Sequence, residues 1–146
     1  MYDRILVPTD GSEAAVKGTD HAISLATALD ATIHALYVID LPGVPRALSI
    51  RDDEEDLRER YREYGEQVTE ELRASAEEAG VDCVAATRTG SVRERVNDYA
   101  EEEDIDVIVI GTGYRGKVGE LLGGTAEKIV RTAAIPVTTV RMSEYE

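Results

Sequence analysis

Three groups of residues in this chain have the types and spacing that could hold a ligand. The densest is Gly111-x-Gly113-x-x-Gly116-Lys117, directly after the apolar run Val107-Ile108-Val109-Ile110. Glycines that follow a short β-branched strand leave backbone amides free to face an anion and let a phosphate come close. The second group is Gly124-Thr125, which opens a helical pattern carried by Ala126, Ile129, Val130 and Ala133. Its unpaired amides and positive dipole end form an anion site. The third is Asp10, between the run Ile5-Leu6-Val7-Pro8-Thr9 and Gly11-Ser12. There it is either a ligand-facing carboxylate at the carboxyl end of a strand or a helix cap.

Other spellings fit less well. Gly111, Gly113 and Gly116 imitate a dinucleotide fingerprint, but that motif opens the first βα unit of a longer domain, with an acidic residue about twenty positions on. Here the motif comes late, and the strand that follows ends in Val140-Arg141. A P-loop would need a hydroxyl where Val118 stands. His21 and His34 have no second His or Cys at ligand spacing and are read as structural. Asp52-Asp53-Glu54-Glu55-Asp56 lacks the alternation and central glycine of a calcium loop and reads as the acidic first turn of a helix. No metal site is expected. Cys83 is the single cysteine, which forbids an internal disulfide and reads as a small buried apolar residue.

These groups must be positioned by alternating strands and helices. The strands are Ile5 to Val7, Thr32 to Ile39, Val81 to Arg88, Val107 to Ile110 and Pro136 to Val140. The first helix follows Ser12 with Ala15, Ala22, Leu25, Ala26 and Leu29 on its buried stripe. A long helix runs from the acidic cluster to Gly80 and buries Leu57, Tyr61, Tyr64, Val68, Leu72 and Ala76. A short helix is opened by a capping box at Ser91 and Glu94, with Val92, Val96 and Tyr99 facing inward. Leu41-Pro42-Gly43-Val44-Pro45 begins an irregular loop, a candidate lid. Short connections and right-handed crossovers then predict an α/β fold, an open five-stranded parallel sheet with helices on both faces. In the strand order 3-2-1-4-5 the first and fourth strands are neighbours, and the switch point between them brings the Asp10 turn to the Gly111 loop.

At 146 residues the sequence predicts a single domain, residues 1–146. Thirty acidic against 16 basic side chains give a net charge of −14, which argues against nucleic acid or an anionic membrane as partner. The same field repels nucleotides, so any that bind must be held by local amides, a helix terminus or a metal ion. Lysine is confined to Lys17, Lys117 and Lys128. An acid-rich, lysine-poor surface suits concentrated salt, where screening removes self-repulsion, and a halophilic protein is expected. No apolar run reaches membrane-spanning length and no signal peptide precedes Tyr2, so a soluble, cytoplasmic protein is expected.

Ile5-Leu6-Val7-Pro8-Thr9-Asp10-Gly11-Ser12-Glu13, the strand end Val38-Ile39-Asp40, Asp106 through Gly111, and Gly124-Thr125 with the later Pro136-Val137 together resemble the universal stress protein family. The resemblance covers nearly the whole chain. It implies a Rossmann-like fold, a homodimer through the last strand (Pro136 to Val140) and, in one branch, bound ATP with or without Mg2+. That branch carries glycine, two residues, glycine, nine residues, then glycine and serine or threonine. Gly111, Gly124 and Thr125 match this frame, whereas Tyr114 stands at the second glycine, beside Gly113. A tyrosine there narrows the pocket unless a one-residue shift lets Gly113 supply the missing freedom. By the same resemblance Pro8, Thr9, Asp10 and Val38 line adenine and ribose, while Ile110, Gly111, Gly113, Gly124, Thr125 and Ala126 hold ribose and phosphates. The expected function is that of a small stress-response protein, a dimeric regulator binding ATP at the switch point. The alternative is a stress-induced dimeric interaction protein that binds no nucleotide. No dedicated catalysis is expected, because Asp10 has no nucleophile–base pair beside it; slow ATP hydrolysis is compatible with this set and is assigned to no residue.

Overall fold

The structure, a computed structural model, describes residues 2–40, 51–114 and 124–142, without the side chains of residues 51–54, 113, 114 and 142. The expected lid beginning at Leu41, residues Gly116 and Lys117 of the glycine run, and the Tyr114 ring lie outside what is described. The elements follow as β1 (Arg4–Pro8), α1 (Glu13–Leu29), β2 (Thr32–Ile39), α2 (Arg51–Glu78), β3 (Cys83–Thr89), α3 (Val92–Glu102), β4 (Val107–Tyr114), α4 (Gly124–Thr132) and β5 (Val137–Met142). All strand pairs are parallel and the sheet order is β3-β2-β1-β4-β5, a Rossmann-like arrangement.

The period-two geometry of the strands divides the core in two. Ile5, Val7, Ile33, Ala35, Val107 and Val109 point to one face, where they meet Ala22 and Ala26 of α1 and Leu72 and Ala76 of α2. Leu6, Leu36, Ile108 and Ile110 point to the other and meet Val96 and Tyr99 of α3 and Ala126 and Ile129 of α4. Burial on both faces is why the central strands read as unbroken apolar runs. Asp106 fixes the start of the central pair, its Oδ2 accepting the amides of Asp3 at 2.8 Å and Arg4 at 3.0 Å. At the opposite end the Thr9 amide donates to the Leu36 carbonyl at 2.9 Å, tying the turn after β1 to β2.

Four local expectations are corrected. β4 does not stop at Ile110: Gly111, Thr112 and Tyr114 pair with Val140, Arg141 and Met142 of β5, with an irregularity between Thr112 and Tyr114. Cross-strand pairing outweighs the low strand propensity of glycine there. The buried stripe of α1 contains Gly18 and Thr19, whereas Leu29 is exposed. Small residues are needed because α1 lies so near the sheet that a Cβ on Gly18 would stand 2.6 Å from the Gly111 nitrogen. Along α2, Val68, Leu72 and Ala76 are buried as expected, but Tyr61 and Tyr64 are exposed. A helix of 28 residues spans about 42 Å, while the eight residues of β2 span about 26 Å. The first half of α2 therefore runs past the end of the sheet. Finally, Ser91 occupies the N-cap of α3 without a side-chain hydrogen bond. Glu94 lies instead within 3.7 Å of Arg93 and 3.9 Å of Arg95, so the capping box does not form.

Exposed pairs such as Arg62–Glu59 (2.6 Å), Arg73–Glu77 (3.0 Å) and Arg131–Glu127 (2.7 Å) sit along single helices. Each contributes little, and because each pair is neutral the net charge of −14 remains whole. Because the Debye length falls from about 10 Å at 0.1 M salt to about 3 Å at 1 M, the melting temperature should rise across that range of potassium chloride. A flat or falling series would remove the support for salt adaptation.

Candidate functional site

The turn after β1 is shaped by its own polar side chains. Gly11 takes φ of +80°, its amide donates to Thr9 Oγ1 at 3.2 Å, and the Ser12 amide donates to Asp10 Oδ1 at 2.9 Å. Ser12 Oγ then accepts the Ala15 amide at 3.2 Å. Ser12 is thus the cap of α1, and Asp10 closes an Asx turn one step earlier. The two roles left open for Asp10 separate in this way: it does not cap the helix, and it stands on the wall of a cavity.

Two glycines from the ligand motif differ in what requires them. A Cβ on Gly111 would collide with the Ala14 carbonyl oxygen, so α1 demands a glycine there whatever the site holds. Gly124 has no such neighbour among the described residues, where a Cβ would meet nothing within 4 Å, and it is not among the residues with positive φ. Nothing in the described residues requires a glycine at the start of α4. Open space in front of the first amides of a helix is what an approaching anion needs.

These elements enclose a cavity of about 330 Å³ at the carboxyl ends of β1 and β4, within the range of small-molecule sites. Nine of the ten expected residues line it: Pro8, Thr9, Asp10, Val38, Ile110, Gly111, Gly124, Thr125 and Ala126. Gly113 lies within β4, next in sequence to the lining residue Thr112. Sequence reasoning missed Leu36, Val92 and Thr112 on the same wall. Strand alternation could have found Thr112, which shares the face of Ile110 once β4 is extended. The residue is 3% exposed, and its Oγ1 is buried without a hydrogen-bond partner among the described residues. Leu36, Val38, Val92 and Ile110 supply an apolar slot, the start of α4 supplies donors, and Asp10 is the one charged side chain among the described lining residues. Chemically this set suits a ligand with a flat apolar body, hydroxyls and an anionic end.

Among the described residues the other candidate groups do not line the cavity. His34 is buried against α3, its Nδ1 hydrogen-bonded to the Tyr99 hydroxyl at 2.7 Å. Burial holds its pKa below the ordinary 6.5 and pushes the Tyr99 hydroxyl up to about 12. His21 is exposed. Burial also raises the Cys83 thiol to about 11, which leaves it unreactive at neutral pH. Among the described residues no cluster of His, Cys, Asp and Glu could hold a metal ion, and no helix is long and apolar enough to cross a membrane.

Known proteins share this sequence and architecture. Universal stress protein MJ0531 of Methanocaldococcus jannaschii is 33% identical over all of this chain and 86% of its own length. Universal stress protein G of Shigella flexneri is 37% identical over 97% of this chain and all of its own. The structure of universal stress protein UspA from Lactobacillus plantarum superposes with a TM-score of 0.81 at 25% identity, covering 96% of this chain and 98% of that one. Two more distant neighbours share the fold and were solved with adenine nucleotides. One is an Arabidopsis thaliana family protein with AMP bound (TM-score 0.74, 19% identity, 98% and 94% covered). The other is a universal stress protein in complex with cAMP (0.72, 22%, 95% and 97%). The sequence model of the universal stress protein family matches residues 1–141, and the chain belongs to that family.

Proposed function

We propose that this protein binds an adenine nucleotide, ATP, in the cavity at the switch point and acts as a dimeric cytoplasmic regulator in a stress response. The observation that carries the reading is the start of α4 on the cavity wall, where among the described residues nothing lies within 4 Å of the Cβ position of Gly124 and none requires a glycine there. Phosphates would lie at Gly124, Thr125 and Ala126, held by amides and the helix dipole. Adenine would enter the slot between Leu36, Val38, Val92 and Ile110, and Asp10 would accept ribose hydroxyls far from the phosphate charge it opposes. Magnesium, when bound with ATP, would offset the phosphate charge that the acidic surface repels. Calorimetry with magnesium ATP in molar salt tests the reading. Saturable heat supports it; its absence transfers the proposal to a family member whose dimer surface, and not its pocket, carries the function.

The proposed dimer would form through β5, an edge strand paired with β4 on one side. Unpaired edges seek partners, and Val137 and Val140 are only partly covered by the core. Light scattering at micromolar concentration should give twice the 15.9 kDa of one chain, and Val140→Glu should reduce it to one. A parent mass of one chain would defeat this assembly.

A further inference from the structure

The part of α2 that runs past the sheet buries almost nothing: from Glu55 to Tyr64 every residue is exposed except the half-buried Leu57. At its last residue, however, it reaches the candidate site. The Tyr64 hydroxyl donates to the Asp10 carbonyl at 3.2 Å, and its ring stands edge-on to Tyr37 with centroids 5.7 Å apart. Two glycines make room for this contact. A Cβ on Gly65 would strike the Tyr37 ring, and one on Gly11 would strike the Tyr64 hydroxyl.

The turn's remaining bonds do different jobs. The Gly11 amide to Thr9 Oγ1 and the Ser12 amide to Asp10 Oδ1 are local and give the turn its shape, and the Thr9 amide to the Leu36 carbonyl ties its first residue to β2. Tyr64 comes from a separate helix and holds the next residue, Asp10, to α2. Tyr64 does not itself line the cavity. We propose that Tyr64 is a positioning residue for the nucleotide site, holding the Asp10 turn in its binding position and thereby coupling the projecting half of α2 to occupancy of the site. The proposal rests on the nucleotide reading above. Coupling is reciprocal: if the Tyr64 bond favours the bound form, a bound nucleotide must favour the Tyr64 bond and steady the helix that carries it. A long, solvated helix beside the pocket would then report to a partner whether the pocket is filled.

Tyr64→Phe keeps the ring against Tyr37 and removes the hydroxyl, so it separates positioning from packing. In the nucleotide-free protein, hydrogen exchange at the Gly11 and Ser12 amides should become about fivefold faster, and the dissociation constant for magnesium ATP should rise by about the same factor, as expected for one hydrogen bond. The melting temperature should fall by no more than the few degrees that one hydrogen bond is worth, whereas a merely structural role would leave the ATP affinity and the ATP-dependent exchange of residues 55–64 unmoved. ATP should slow exchange across residues 55–64 in the parent and not in the variant. Unchanged exchange at Gly11 and Ser12 overturns the proposal whether or not the parent binds nucleotide. Unchanged ATP affinity in a parent that does bind it overturns the proposal too. Faster exchange at the turn in a parent that takes up no ATP confirms the anchor and sinks the nucleotide reading instead.

Discussion

Gly111→Ala is expected to lower the melting temperature by about 10 °C, the consequence of losing about 3 kcal/mol or more to overpacking. The added methyl group would collide with the Ala14 carbonyl oxygen, and the Ala14 carbonyl carbon and Ala15 nitrogen stand close behind it. Backbone in the first turn of α1 cannot move aside as a flexible side chain would. Relief requires the helix to lift from β4, which opens the packing of Ala15, Gly18 and Ala22 against the sheet. Gly124→Ala is the matched control, with nothing among the described residues within 4 Å of its Cβ and no positive φ; its melting temperature should hold or rise slightly, since alanine is the better helix former. Thermal unfolding followed by circular dichroism gives both values. A Gly111→Ala variant that melts with the parent would mean that α1 does not sit backbone-to-backbone on β4.

The second large effect concerns the ligand and inverts the order of the two glycines. Gly124→Val should abolish calorimetric binding of magnesium ATP, because a branched side chain fills the space that a phosphate needs before the first amides of α4. Folding should be spared, since valine is better than glycine in a helix by about 0.3 kcal/mol. Thr125→Ala should be milder, losing about 1 kcal/mol or somewhat more through one hydroxyl donor to a charged group. Tyr114→Gly completes the family's glycine frame and reads out directly whether the tyrosine narrows the pocket. A Gly124→Val protein that binds ATP as the parent does would place the phosphates elsewhere.

The architecture was legible because both faces of the sheet are covered. Apolar runs such as Val107 to Ile110 could only be buried strands, and their alternation with helical stripes fixed a parallel sheet with Asp10 and Gly111 at its switch point. What was hidden depended on distances between elements. Gly18 reads as a weak spot in a helix, and only the close seating of α1 against Gly111 makes it part of the core. Tyr61 and Tyr64 fall on the apolar stripe of α2, yet the sheet ends before that stripe does, and length alone decides their exposure. Thr112 was taken for loop because glycines flank it, and the extra pairing with β5 turned it into cavity wall. At Gly111 the glycine itself was noticed, but the reason given was phosphate approach, whereas the Ala14 carbonyl supplies a sufficient one.

The most direct measurement of the central claim is a residue-resolved amide spectrum of the nitrogen-15-labelled protein, titrated with magnesium ATP in molar salt. The account predicts saturable shifts that are largest at Gly124, Thr125 and Ala126, with Thr112 and the Asp10 turn next, and with Thr27 to Asp30 at the far end of α1 unmoved. An unchanged spectrum at millimolar ATP, or shifts gathered away from the start of α4, would contradict it.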